Sequence, residues 1–283
     1  MTLNVRHRPG RGGRPFLLLH GLASNARMWD DVARRLADAG HPVYAIDTRG
    51  HGDSDVPEQG YDNEAAVADL AAVCRELRLT GALLAGHSWG GMVAVRFASV
   101  HPDLAAGLAL VDGGWINHTD TPLRIPTWQK DVEKIANGVP GTTGVTVHTA
   151  RERIRTLHPH WSKDAVEAML ADTVEGPDGL LVQRLPLKHR LSILNSMWND
   201  SPARWYPGIA VPVLMLIALP SYASALGDWV RKWVTEAESA IAHVDSRWYV
   251  GADHNLHADQ PERVAADLLE LARNADRSAL ERS

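Results

Sequence analysis

The sequence predicts an α/β protein: a mostly parallel sheet covered by helices on both faces, with a helical cap inserted between two late strands. Three observations carry this reading. Short apolar, β-branched runs alternate with amphipathic helical stretches, the pattern of strands joined by crossover helices. The chain has 283 residues, 45% of them apolar, enough for one large domain with a sizeable core and an insertion. The alternation stops after Val111 and resumes at Val211-Pro212-Val213, which leaves a helical middle segment.

Candidate strands are Leu3 to Arg6, Phe16 to Leu19, Val43 to Ile46, Ala82 to Ala85, Leu108 to Val111, Val213 to Ile217 and Trp248 to Val250. Between them, Trp29, Val32 and Leu36 recur with helical spacing, as do Val67, Leu70, Cys74 and Leu77. In the middle segment Ser162 reads as the N-cap of a helix carrying Val166, Met169, Leu170 and Val174. Leu187, Leu191, Leu194 and Trp198 trace another. The last helix opens on a capping box, Asp259-Gln260-Pro261-Glu262, and carries Val264, Leu268 and Leu271 on one face; the polar tail from Asn274 is expected to fray. The resulting division is a core of residues 1–114 and 208–283 and a cap of residues 115–207. Open parallel sheets bind ligands at the carboxyl ends of their strands, so this cap is expected to roof the site.

Composition narrows the function classes. The formal charge is −5 and the charges are interspersed, which argues against a nucleic-acid partner. Arg6 to Arg14 reads as a short solvated basic arm. No apolar stretch approaches the roughly 18 residues needed to cross a bilayer. The start, Met1-Thr2-Leu3-Asn4, lacks the apolar region of a signal peptide. The expectation is a cytoplasmic protein, monomer or homodimer, acting on a small molecule without a membrane partner. Cys74 is the sole cysteine and reads as core filler. Tryptophan outnumbers phenylalanine ten to two. Trp115, Trp128, Trp161, Trp198 and Trp205 fall in the middle segment, where large rings pack cores or line pockets. Trp115, Trp128 and Trp198 are the candidate substrate-binding residues.

The most informative motif is Gly86-His87-Ser88-Trp89-Gly90, between the strand Ala82 to Ala85 and the helical run Met92 to Ala98. A serine squeezed between a strand and a helix occupies a strained turn, and glycines two residues either side remove clashing side chains. The turn lifts the hydroxyl clear of the backbone, within reach of a base. The alternative is a Gly-rich βα connection that binds a phosphate or nothing. Further features converge on Ser88. His20-Gly21-Leu22 follows a strand and can point the Leu22 N–H into the same cleft; with the Trp89 N–H it forms a candidate oxyanion hole. A serine hydroxyl needs a base with a pKa near 7, and His254, after Gly251 and past the last strand, is the candidate, ahead of its neighbour His257. An acid must fix the imidazole tautomer. Asp112 closes the strand Leu108 to Val111, and is preferred to Asp253, which adjoins the histidine, and to Asp228, which sits in a helical stretch.

Over nearly its whole length the sequence resembles the α/β-hydrolase family. His20-Gly21-Leu22-Ala23-Ser24 looks like the family's oxyanion turn, and Asp47-Thr48-Arg49-Gly50-His51-Gly52-Asp53-Ser54 is similar to its D-x-R-G-x-G-x-S loop. Gly86 to Gly90 followed by Gly91-Met92 matches its elbow, and His254 with Gln260-Pro261-Glu262 matches its histidine turn. The resemblance implies that Asp47 and Arg49 brace the loop beside the oxyanion turn and are not catalytic. Two departures stand out. After Val213 to Ile217, where the family commonly places its triad acid, the chain reads Ala218-Leu219-Pro220-Ser221-Tyr222; some branches carry the acid one strand earlier, where Asp112 stands. The N-terminus is short, so the sheet is expected to have fewer strands than the family's eight.

Family dehalogenases and epoxide hydrolases use aspartate at the elbow, and Ser88 argues against both. No histidine–carboxylate cluster has metal spacing and no Gly-rich loop fits a dinucleotide, so hydrolysis without a cofactor is the economical reading. The expected activity is cleavage of an ester or lactone of an apolar or ring-containing molecule through an acyl-enzyme. Acyl transfer and carbon–carbon bond hydrolysis use the same triad, and a non-catalytic ligand-binding protein is the alternative of a different class.

Overall fold

The protein's structure is a computed structural model that describes residues 1–118, 142–219 and 225–281. In chain order the strands are β1 (Val5–Arg8), β2 (Phe16–Leu19), β3 (Val43–Ile46), β4 (Ala82–His87), β5 (Ala105–Val111), β6 (Thr173–Glu175), β7 (Leu181–Gln183), β8 (Val213–Leu219) and β9 (Val244–Val250). The helices are α1 (Asp30–Asp38), α2 (Asn63–Glu76), α3 (Trp89–Val100), α4 (Val147–Leu157), α5 (Lys163–Leu170), α6 (Leu187–Asn199), α7 (Ala225–Ala240), α8 (Leu256–Asp259) and α9 (Pro261–Glu281). Among the described residues no helix is long and apolar enough to cross a membrane.

Seven strands form one sheet in the order β1-β3-β2-β4-β5-β8-β9, parallel except for β1 against β3. Parallel strands covered on both faces must be apolar on both, and β2, β4, β5 and β8 are buried almost throughout. Their side chains divide by period two. Leu17, Leu19, Leu84, Leu110 and Met215 join one core cluster with α2 and α3; Phe16, Leu18, Leu83, Val111 and Leu216 join the other with α1 and α9. The chain moves outward from β2 to β3 and then returns past β2 to β4. This reversal opens a crevice between the carboxyl ends of β2 and β4, where Leu19 pairs with Gly86.

Every candidate strand is present, and the main differences lie at the ends. β1 starts at Val5 because the Asn4 backbone and amide are taken by Ser54 and Asp47. β9 starts earlier than its apolar residues, at Val244, because β8 pairs with it from Val213↔Val244 to Leu219↔Val250. The middle segment holds larger corrections. Ser162 caps α5 through the Ala165 N–H, but that helix stops at Leu170, and Val174 lies in β6, paired with β7 across a turn with Gly179 at φ 75°. The buried residues of α6 are His189, Arg190, Ile193, Leu194 and Met197; of the expected stripe Leu194 is among them, Leu191 and Trp198 are half-buried and Leu187 is exposed. Leu77 lies past the end of α2 and is exposed. The tail does not fray at Asn274: α9 runs to Glu281, with Ala275 buried and Arg14 paired to Asp276 at 2.5 Å. Cys74 is buried in the core, as expected, and burial pushes its thiol up to about 11.

A third apolar cluster joins Ala150, Ile154, Val166, Met169 and Leu181 of the middle segment to Met28 and Ala258 of the sheet domain. Asn25 ties the two together. Its amide donates to Ala168 O at 2.7 Å and to Asp172 Oδ1 at 2.9 Å, while its own oxygen accepts the Arg27 N–H at 3.0 Å. Asn25→Ala removes all three bonds at a buried position. It is expected to cost about 2–3 kcal/mol, read as a lower urea midpoint at unchanged m-value.

Candidate active site

Ser88 stands at the tip of the β4–α3 turn with φ 53° and ψ −119°, a conformation that a serine adopts only when its surroundings impose it. The imposition is close backbone approach. A Cβ on Gly86 would stand 2.2 Å from Gly90 O, and one on Gly90 would stand 2.5 Å from His20 O. The glycines thus let the strand, the helix and the β2 loop close on one another. The result leaves Ser88 partly exposed at the wall of a cavity of about 140 Å³, also lined by Leu22, Met28, Met169, Asp172 and His254.

His254 reaches this cavity from the loop after β9. Its Nδ1 lies 2.5 Å from Asp112 Oδ2, and Asp112 Oδ1 accepts the Ala218 N–H at 3.0 Å. Asp112 is itself at φ 45°, and its N–H donates to Leu216 O at 2.8 Å, so β8 holds both its backbone and its carboxylate. With the Nδ1 proton given to Asp112, Nε2 is left as the acceptor. Burial pulls the His254 pKa down, but the Asp112 hydrogen bond and charge, helped by Asp253, outweigh it and hold the ring above its ordinary 6.5. The ring edge stays open, with 49% of the side chain exposed. No hydrogen bond joins Ser88 to His254 among the described residues; they share the cavity wall, as such pairs do before substrate closes the geometry.

The rival acids stand elsewhere. Asp253 pairs with His158 Nδ1 at 3.0 Å, and Asp228 lies on the exposed side of α7, 3.6 Å from Arg231. Residues 220–222 of the Ala218 to Tyr222 stretch lie outside the described residues. His257 is fully buried between the Trp29 and His87 rings, at 4.4 Å from each, and burial lowers its pKa to about 3; it packs and forms no hydrogen bond among the described residues.

Leu22 and Trp89 both border the site. The Trp89 N–H opens α3, where the first amides lack helical acceptors, and neither N–H has an acceptor among the described residues. Two buried histidines fix the Leu22 turn. His20 Nδ1 lies 2.7 Å from Gly21 O while its Nε2 accepts the Thr48 N–H at 3.0 Å; His51 Nδ1 lies 3.0 Å from Arg49 O while its Nε2 accepts the Ala23 N–H at 3.2 Å. Burial depresses both rings, His51 to about 3, so both stay neutral with the proton on Nδ1. Asp47 accepts the Ala26 and Asp53 N–H groups, and Arg49 makes a paired contact with Asp69 at 2.6 and 2.7 Å. Both brace the loop, each through its own partners.

The tryptophans are placed differently. Trp115 is 3% exposed within a sheet-side core cluster, and Trp198 is half-buried on α6; neither is among the residues lining the cavity, whose apolar wall is Leu22, Met28 and Met169. Trp128 lies outside the described residues. Sequence reasoning missed the clamping roles of His51 and Thr48, and it missed Asp172 and Gln183 of the cavity wall altogether. A D-x-R-G-x-G-x-S match does not reveal ring tautomers, and nothing marks Asp172 or Gln183 in the chain.

The fold and the site match known proteins. The family described as the alpha/beta hydrolase fold matches residues 14–219, and the chain belongs to that family. It is similar to a 2-(acetamidomethylene)succinate hydrolase of Mesorhizobium japonicum, 38% identical over 113 residues, or 40% of this chain and 39% of that protein. It is also similar to an esterase of Mycobacterium tuberculosis, 40% identical over 97 residues, or 34% of this chain and 32% of that one. These matches thus span well under half the length of either relative. A crystal structure of E-2-(acetamidomethylene)succinate hydrolase superposes with a TM-score of 0.76 at 22% identity, covering 95% of this chain and 94% of that one.

In proton-detected NMR, His254 is expected to titrate above 6.5. Asp112→Asn removes the charge that opposes burial, so the same ring then titrates below 6.5, and an unmoved midpoint contradicts the pairing.

Proposed function

We propose that the protein is a serine hydrolase that cleaves a carboxylic ester or lactone of a small molecule, with Ser88, His254 and Asp112 as its triad. The observation that carries this reading is the Asp112–His254 bond beside the cavity that Ser88 lines. The family is one of hydrolases by description, and an esterase is among the relatives.

The chemistry follows from the placement of the groups. Ser88 Oγ attacks the substrate carbonyl carbon while His254 Nε2 takes its proton, and Asp112 stabilises the imidazolium that forms. The carbonyl oxygen becomes an oxyanion held by the Leu22 and Trp89 N–H groups, where each such donor is worth about 3 kcal/mol. When the tetrahedral centre collapses, the alcohol leaves with the proton from Nε2, and the acyl group stays on Ser88. Water then attacks that ester, giving a proton to Nε2; collapse frees the acid and returns the proton to Ser88. Leu22, Met28 and Met169 supply the apolar surface for the substrate. The cavity is about the size that accepts a benzene ring, which favours a compact acyl group over a long lipid chain.

Fluorophosphonate labelling is expected to modify Ser88 alone, and Ser88→Ala to abolish both labelling and turnover of an activated ester. Asp112→Asn is expected to lower kcat about 10⁴-fold by favouring the wrong imidazole tautomer, while Asp228→Asn stays within about twofold of the parent. Full activity in Ser88→Ala refutes the mechanism. Full activity in Asp112→Asn refutes the choice of acid.

A further inference from the structure

The wall of the cavity contributed by the middle segment contains polar groups that the hydrolytic mechanism does not use. Asp172 follows α5, and Gln183 ends β7 opposite Thr173; both residues line the cavity. Arg184 N–H closes the same ladder on Asp172 O at 2.8 Å. Asp172 Oδ1 accepts from Asn25, but Oδ2 has no partner among the described residues. Gln183 Oε1 is buried and also lacks a partner. A buried acceptor without a donor costs about 1–3 kcal/mol, so Gln183 gains when its amide turns onto a hydrogen-bonding group in the cavity.

We infer that Asp172 and Gln183 form a recognition subsite for an uncharged hydrogen-bonding head on the acyl group, a hydroxyl or carboxamide, and that they reject a carboxylate. This rests on the serine-hydrolase reading of Ser88 and names the substrate class for it. Size sets the reach: a cavity of about 140 Å³ holds an acyl group of roughly six non-hydrogen atoms, so its far end meets this wall. Charge sets the sign. No lysine or arginine lines the cavity among the described residues, and the Asp172 carboxyl stands in its wall, so a substrate carboxylate meets an acid group there. A substrate ammonium would require an ionised Asp172. Burial opposes that form most strongly, and the Asp47 charge adds to it; the Asn25 bond and Arg184 work the other way without reversing the balance, and the carboxyl stays well above its ordinary range. A carboxyl that burial holds toward its neutral form offers an O–H donor beside its acceptor oxygen, and Gln183 offers an amide; together they match a hydroxyl or carboxamide.

The test uses 4-nitrophenyl esters whose acyl chains have equal length and end in methyl, carboxamide, carboxylate or trimethylammonium. For the parent protein, kcat/KM for the carboxamide ester is expected about tenfold above the methyl ester and about 100-fold above the carboxylate ester, with the ammonium ester also below the carboxamide. Asp172→Asn, which mimics the neutral acid, is expected to keep the carboxamide-to-methyl ratio within about threefold of the parent. Asp172→Leu and, separately, Gln183→Leu bring that ratio close to one. Since Asp172 also holds Asn25, Gln183→Leu keeps the question answerable if Asp172→Leu fails to fold, and stoichiometric fluorophosphonate labelling certifies each variant. A parent that prefers the carboxylate or ammonium ester, or ratios that neither leucine variant moves, overturns the subsite while leaving the Ser88 mechanism standing. Failure of the parent to turn over any of the esters overturns the mechanism, and the subsite with it.

Discussion

Ser88 holds its positive φ because four backbone segments meet around it with no side chain between them. Gly86 abuts Gly90, Gly90 abuts His20 and Leu19, and a Cβ on Gly113 would stand 2.3 Å from Ser88 O. The strain is about 1–3 kcal/mol, and the buried strands on either side sustain it. The same convergence sets the rest of the site. Because β2, β4 and β5 end together there, the Leu22 turn, the elbow and Asp112 emerge within one crevice. Asp112 is strained in the same way, at φ 45°, and is held by β8 instead of by glycines.

Around this frame the polar groups act mainly by fixing protons and turns. His20 and His51 are neutral, buried and bonded at both ring nitrogens, so they clamp the Leu22 turn without charging it. His87 supports the other side: its Nε2 lies 3.0 Å from His254 O, tying the residue before Ser88 to the loop that carries His254. An imidazolium at His87, whose ring lies 4.7 Å from that of His254, would place positive charge against it and disfavour its protonation. Burial keeps the His87 ring neutral, while Asp112 makes His254 the exception.

The middle segment joins the core through apolar packing and a series of hydrogen bonds and ion pairs. Asn25 bonds α5 and Asp172; His158 pairs with Asp253, the neighbour of His254; Met28 sits in an apolar cluster with Met169. The cavity therefore lies where both parts contribute walls. The sheet side supplies Ser88, Leu22 and His254, and the inserted side supplies Met169, Asp172 and Gln183.

The strands, the elbow turn and the pairing of Asp112 with His254 were legible in the chain because each leaves a local mark. Strands that are buried on both faces need continuous apolar runs, a tight turn needs glycine, and an acid or base at a strand end follows directly on such a run. The short strands β6 and β7, the buried face of α6 and the length of α9 were not, since a three-residue hairpin, an arginine in an apolar face and a polar-looking helix end are settled by partners distant in sequence. The tryptophans show the same limit: a large ring packs equally well in a core or a pocket, and Trp115 went to the core. Local sequence determined which backbone could bend, pair and expose a hydroxyl. Tertiary packing alone decided which polar atoms were left facing the cavity without a partner, because that depends on burial and hydrogen bonds between segments that the chain order keeps apart.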